Sequence, residues 1–303
     1  MTYSSGGLIQ ATDFNTRVGS VNQLWGTGGG NYGYGQSSTV ATNSTGAIVP
    51  ASDWATLIAR MTSMQQHQFN NTSGIPSQPT SGSIITYLST VDTAITSLQN
   101  NRTTTYLTTG GTPTGVSNAT NWSSTSTKTW TITFSSGDAA RYFFNSGGFI
   151  QVYSQTNTVN ETQWNSFINT GFSYCNLSAG AFTHGGTVGS LTRSVYNTGY
   201  GYYSLTTTPT TVLTLLDTGT GNAAYNSNAI NFNVSSNGTQ GANSDKGSVV
   251  TVTLQFVNTD TNTFQLPLTG TTVGACVLYI PETTYISNTW GTPTIANTVN
   301  TQA

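Results

Sequence analysis

Ionic charge is what this chain has least of. Charged residues make up 5% of its 303 positions, with 7 Lys and Arg against 9 Asp and Glu and a formal net charge of -2. An ordinary soluble domain carries about 25% charged residues. So neutral a chain has no basic footprint for nucleic acid and no acidic tail, and no nucleic-acid partner is expected. Long apolar runs are missing too. None approaches the roughly 18 residues of a membrane helix, so membrane insertion is not expected. Met1 to Gln10 hold neither Lys nor Arg nor an apolar stretch, so no secretory signal is expected there.

Reactive side chains are equally scarce. The two cysteines, Cys175 and Cys276, fit neither a CxxC motif nor a disulfide framework and read as buried thiols. The two histidines, His67 and His184, stand alone, with no HxH, HxxxH or HExxH spacing, which predicts no metal site. No GxSxG elbow sets a serine beside a base. The glycine run Gly26 to Gly35 (GTGGGNYGYG) lacks the Lys-Ser/Thr ending of a phosphate-binding loop, and no cofactor is expected. Glycan cleavage would need two carboxylates roughly 5 to 9 Å apart. Asp217, Asp245, Asp260 and Glu282 form no recognisable pair, so the chain does not read as an enzyme.

In place of charge the chain has hydroxyls, amides and glycine. Thr (60), Ser (34), Asn (29) and Gly (33) fill about half of it, and aromatics reach 11%, too many for a disordered segment. Thr, Val, Ile and aromatics suit the pleated, half-buried surface of strands, while Gly, Asn and Ser suit tight turns.

Three amphipathic stretches stand in the first hundred residues. Thr12 and Asp13 precede Phe14, Val18, Val21, Leu24 and Trp25 at helical spacing. Pro50, Ser52 and Asp53 precede Trp54, Leu57, Ile58, Met61 and Met64. The third begins near Ser83 and sets Ile84, Leu88, Val91, Ile95 and Leu98 in the a/d pattern of a coiled coil, ending near Arg102. Asp13 and Asp53 lie where a carboxylate favours a helix N-terminus. This seam could pair with sister chains or with the first two helices of its own chain.

From about residue 103 the chain turns to short strands. Thr129–Phe134 alternates, Ser135–Asn145 reads as a short helix ended by Gly147 and Gly148, Phe149–Tyr153 is a strand, and residues 160–171 hold a helical turn. Further strands are predicted at 191–196, 201–206, 211–216, 229–234, 248–258, 263–268 and 274–280. Val250, Val252, Leu254 and Phe256 alternate most clearly, and Asn258–Asn262 is read as a hairpin turn into Phe264, Leu266 and Leu268, with Pro267 marking an edge. The expected fold class is α+β: an amino-terminal helical region followed by a mainly antiparallel β-sandwich with short inserted helices. Residues 1–105 would form the helical docking or oligomerisation region, 106–127 a linker or loop, and 128–303 the β-rich domain.

Two surfaces can be read as interaction sites. Phe14, Trp25, Trp54, Leu57, Met61, Ile84, Leu88, Val91, Ile95 and Leu98 are the candidate docking and oligomerisation residues. GYGYY at Gly199–Tyr203 puts Tyr200, Tyr202 and Tyr203 on a glycine-rich loop, where ring faces could meet the C–H groups of a glycan; NYGY at Asn31–Tyr34 offers the same. The rings could equally pack on the sheet.

Longer segments carry a resemblance. YSSGGLIQATDFN (Tyr3–Asn15), LWGTGGGNYGYGQ (Leu24–Gln36), VPASDWATLIARM (Val49–Met61), HQ at His67–Gln68 and NNR at Asn100–Arg102 resemble the amino-terminal region of tailed-bacteriophage virion proteins, especially those of cyanophages. GDAARYFFNSGGFIQV (Gly137–Val152) and GANSDKGSVVTVTLQF (Gly241–Phe256) resemble the β-rich part of the same proteins, while residues around 103–127 are unmatched. The resemblance implies a structural component of the phage tail or neck, fibre-like, made in the host cytoplasm and located in the virion. It implies self-association, with homotrimers expected, and contact with other tail or neck proteins; it supplies no catalytic residues. A receptor-binding adhesin recognising host surface polysaccharide and a capsid decoration protein are the alternatives.

Overall fold

The computed structural model describes residues 10–80, 88–157, 162–187, 189, 191–218, 227–238, 240, 247–259, 267–269 and 271–303. The chain divides into two compact units. One comprises Met1–Thr108, Asn145–Gly147 and Pro281–Thr289; the other comprises Thr109–Phe144, Gly148–Ile280 and Trp290–Ala303.

The first unit is built on three helices, α1 (Ala11–Trp25), α2 (Ala51–Phe69) and α3 (Leu88–Asn100). The Asp13 carboxylate accepts a hydrogen bond from the Gln10 backbone N–H at 3.2 Å, satisfying a donor that the helix start leaves open. Each helix turns its apolar stripe to the other two. Phe14, Val18, Val21 and Leu24 meet Trp54, Leu57, Met61 and Met64, and Val91, Ile95 and Leu98 close the core. The Phe14 and Trp54 rings meet edge-on at 5.0 Å, and Arg17 of α1 reaches Asp92 of α3 at 2.6 Å.

The glycine run serves this unit by folding back on the end of α1. The N–H groups of Tyr34 and Gln36 donate to the carbonyls of Leu24 and Trp25 at 2.8 and 2.9 Å. The reversal needs Gly33 at φ +95°, where an added Cβ would lie 2.4 Å from the Thr27 carbonyl oxygen. Tyr34 is thereby buried, donates its hydroxyl to the Arg102 carbonyl at 2.8 Å and accepts from Gln68 at 2.9 Å.

This packing corrects the docking expectation. Phe14, Trp25, Trp54, Leu57, Met61, Leu88, Val91, Ile95 and Leu98 are all buried within their own chain. Ile84 lies outside the described residues. The 4-3-4-3 spacing is satisfied by α1 and α2, so the seam is not a surface left for sister chains.

The second unit stacks two sheets. Its strands are β1 (Thr108–Gly110), β2 (Thr114–Ser117), β3 (Thr125–Thr133), β4 (Phe149–Asn157), β5 (Tyr174–Leu177), β6 (Phe182–His184), β7 (Thr192–Tyr196), β8 (Thr210–Leu216), β9 (Ala229–Ser236), β10 (Val249–Val257), β11 (Thr271–Pro281) and β12 (Thr294–Gln302). One sheet has the order β1-β11-β4-β5-β6, with β2 also on β11; the other has the order β12-β3-β10-β9-β8-β7. Short helices α4 (Gly137–Asn145) and α5 (Thr162–Ser166) are inserted, the latter running into a π-helical turn at Phe167–Phe172. The expected class, a helical region followed by an antiparallel sandwich with short helices, is what the chain adopts.

Val250, Val252, Leu254 and Phe256 all point inward, with Trp130 of β3 and Val234 of β9 flanking Val252. Phe182 of β6 stacks on Phe232 of β9 at 5.5 Å, joining the two sheets. Gly274 lets the sheets approach, since a Cβ there would fall 2.7 Å from Lys128 Cδ and 2.8 Å from Trp130 Cη2.

Both edges of β10 are occupied by β3 and β9 and Leu268 bridges Trp122, while residues 260–266, on which the expected hairpin falls, lie outside the described residues. Two expectations differ. Segment 201–206 is a 3-10 turn at Tyr202–Ser204 because Tyr202 inserts beneath it as a core ring. The stretch 106–127, expected as linker or loop, carries β1 and β2 and ends near the buried Trp122.

Substituting Gly274→Val should separate the sheets and cost about 1–3 kcal/mol by overpacking, whereas Gly46→Ala meets no neighbour and leaves only local backbone strain to overcome. Chemical denaturation of both variants measures the difference. Leu57→Asp should abolish folding of the helical unit, read as lost helical circular dichroism, because it places an unpaired charge in a 0% exposed position.

Candidate functional site

The predicted glycan loop is partly internal: Gly201 and Tyr202 are buried, while Tyr200 and Tyr203 are half-buried. Tyr202 is buried and stacks on Phe144 at 4.2 Å, and Tyr203 meets Tyr202 edge-on at 5.1 Å. Tyr200 donates its hydroxyl to Thr210 at 3.1 Å. Gly201 has backbone atoms of 179–181 within 2.6 Å of where a Cβ would stand, which presses the loop onto the sandwich and turns Tyr202 inward. Tyr202 is therefore a core residue and not a glycan contact.

An aromatic and amide surface lies instead on the outward face of the β11-β4-β5 sheet. Along β4, Ile150, Val152 and Ser154 point into the core and Gln151, Tyr153 and Gln155 point out, as period-2 alternation requires. Register places Tyr153 opposite Tyr174 and Gln151 opposite Asn176 of β5. Phe149 and Tyr279 stack at 4.4 Å with ring planes 7° apart, and the Tyr279 hydroxyl donates to Gln151 Oε1 at 3.3 Å. Gln151 Nε2 in turn donates to Asn176 Oδ1 at 3.0 Å. One end of this face forms an open concavity of about 570 Å³ lined by Gln151, Tyr153, Gln155, Thr156, Asn169 and Tyr174, together with Ser154 and Ser173. Its rim is held by a pair of bonds between Asn169 and Thr156, at 2.7 and 2.8 Å.

Among the described residues lining this concavity there is no carboxylate, imidazole, thiol or ammonium; its tyrosines, hydroxyls and amides can stack and hydrogen-bond. Such a surface suits a neutral, hydroxyl-bearing ligand, whose C–H faces lie on rings while its hydroxyls meet amides.

No known protein family, curated protein or solved structure matches this chain.

A second cluster joins β6 to β7. Arg193 Nη2 lies 2.9 Å from His184 Nδ1 and the guanidinium covers the Tyr196 ring at 4.3 Å. Cys175 sits directly opposite His184 in the ladder. A cysteine beside a histidine has the composition of a nucleophile and its base. Here, however, burial pushes the thiol well above its ordinary range, and burial followed by the Arg193 charge lowers His184 to about 4. A protonated thiol with no exposed surface is a packing residue, and the cluster ties the two sheets at their edge. Among the described residues no group of three or more His, Cys, Asp or Glu could hold a metal ion. Glu282 turns its carboxylate onto Thr283 and Thr284, which lowers its pKa.

The face on β4 and β5 was detectable in principle. FIQVYSQTN alternates aromatic or amide with apolar residues over 149–153. Its partner YCNL is too short to read as a strand alone.

His67 and His184 both favour the neutral imidazole, each lowered to about 4, His67 chiefly by burial. The unfolded chain binds these protons near pH 6.5, so each contributes stability that is complete above that pH and is lost as pH falls toward 4. Melting temperature should therefore drop between pH 6.5 and 4. His67→Asn and His184→Asn should each flatten that drop, as followed by thermal denaturation across a pH series.

Proposed function

We propose that this chain is a structural component of a bacteriophage particle, associated with the tail or neck, that assembles with copies of itself and with neighbouring virion proteins. Its surface is the observation that carries this reading. Of the described Lys, Arg, Asp and Glu residues, Asp13, Arg17, Lys128, Arg141 and Asp217 are buried, the others are half-buried, and Asp92, the one classed as exposed, is paired with Arg17. A freely diffusing protein keeps itself apart from its neighbours with surface charge. A hydroxyl- and amide-covered exterior presents few ions to desolvate, so large areas can be buried against other subunits at little electrostatic cost. The segments resembling cyanophage virion proteins run through both the helical and the β-rich units, in keeping with this role. Self-association would use outer surfaces of the units, since the α3 seam is internal.

The concavity on the β4-β5 face favours a second reading, a receptor-binding adhesin that recognises host surface polysaccharide. The two readings share a location and differ in whether that face meets glycan.

Gold-labelled antibody against the chain should decorate the tail or neck of purified particles; label confined to the head would point to a capsid decoration protein, and unlabelled particles would overturn the proposal. On an array of neutral host glycans, binding by the full chain should weaken up to roughly tenfold on Tyr153→Ala or Tyr174→Ala if the face is an adhesin surface. An array without signal leaves the architectural role alone.

A further inference from the structure

Lys128 occupies a place where a lysine is costly. It stands mid-way along β3 with its side chain wholly buried, its Nζ 5.7 Å from the centre of the Phe256 ring. The ion pairs among the described residues are Arg17–Asp92 and Arg141–Asp138, and neither involves Lys128. Its hydrogen-bond partners are neutral: Asn118 Oδ1 at 2.5 Å and Ser126 Oγ at 3.0 Å. A buried ammonium without a counter-ion loses its proton or finds another way to lose its charge.

Asn118 is arranged to receive the amine. It follows β2 and is tied by its backbone N–H to the Thr272 carbonyl of β11 at 3.1 Å, so it belongs to the opposite sheet from Lys128. Its Nδ2 is buried with no hydrogen-bond partner, while its Oδ1 also accepts from Ser126 Oγ at 3.0 Å. One hydroxyl therefore lies within 3.0 Å of both the amine and the carboxamide oxygen.

We propose that Lys128 and Asn118 condense into an intramolecular isopeptide bond that staples the two sheets of the sandwich. The lone pair of the neutral Nζ attacks Cγ of Asn118. Negative charge developing on Oδ1 is held by the Ser126 O–H, in the manner of an oxyanion donor. A proton passes from Nζ to Nδ2 within the tetrahedral adduct, the Cγ–Nδ2 bond breaks, and ammonia departs. Overall, an ammonium and a carboxamide give a secondary amide and an ammonium ion, with no oxidant or reductant required. Burial lowers the Lys128 pKa to about 8, so an appreciable share of the attacking amine is already neutral near that pH. The product replaces a buried charge with a neutral amide and removes the unpartnered Nδ2. This inference is independent of the proposed virion role.

The test is mass spectrometry of the full-length protein held at pH 8 to 9, before and after tryptic digestion. The linked chain should be lighter than its sequence by one ammonia. Trypsin should then fail to cut after Lys128, yielding the single peptide Thr103–Arg141 in place of Thr103–Lys128 and Thr129–Arg141. Lys128→Met and Asn118→Ala should each restore the mass expected from their sequences, and Ser126→Ala should slow formation of the linked species by roughly 100-fold. A wild-type mass equal to the sequence, with normal cleavage after Lys128, would overturn the proposal. So would an ammonia loss that persists in Lys128→Met, which would mark a cyclic imide at an asparagine.

Discussion

Arg17, Lys128 and Arg141 are each 5% exposed or less, and much of the architecture answers what those buried cations require. An ionic group taken out of water must be paired, hydrogen-bonded or neutralised. Arg17 meets Asp92 across two helices, fixing α1 against α3. Arg141 meets Asp138 one turn earlier on α4 and lies over the Tyr142 ring at 4.7 Å. Among the described residues Lys128 meets neutral oxygens and a ring in place of a carboxylate. Among the described residues, these cations thus act inside the protein.

The surface follows from that internal use. With so few ionic groups, the exterior is left largely to Thr, Ser, Asn and Gln, which bond to one another across strands: Thr214 to Asn231 and Gln151 to Asn176. These neutral ladders satisfy the sheet faces without setting up long-range repulsion. The same chemistry makes the face around Tyr153 and Tyr174 able to meet a sugar, and makes broad areas of both units compatible with close subunit packing. Both proposed roles, architectural and adhesive, would rest on one property, a surface of hydrogen-bonding groups with few charges.

Periodic elements were legible in advance. The stripes through Phe14–Trp25 and Trp54–Met64, and the alternation of Val250–Phe256, are long enough for spacing to identify type and inward face. Short strands were not. YCNL and FTH hold three or four residues, and β12 (TIANTVNTQ) alternates weakly because it runs along an edge with neither face fully buried. The face that forms the candidate site shares this difficulty: half of it was visible along β4, but its partners Tyr174 and Asn176 join only through strand pairing.

Composition and local spacing by themselves determined that the chain would be neutral, helical at its start and stranded thereafter, because propensity and periodicity act over a few neighbouring residues. Tertiary packing alone decided which apolar stripe met which. The seam at Leu88–Leu98 carries the same spacing whether its partner is a sister chain or its own α1 and α2, and only the assembled core shows the latter. Likewise a Tyr on a glycine-rich loop can face solvent or core, and Gly201 resolves the matter for Tyr202 by letting the backbone press close. The meeting of Lys128 with Asn118, 10 residues apart yet on opposite sheets, has no local signature, since it depends on where two separately paired strands come to rest.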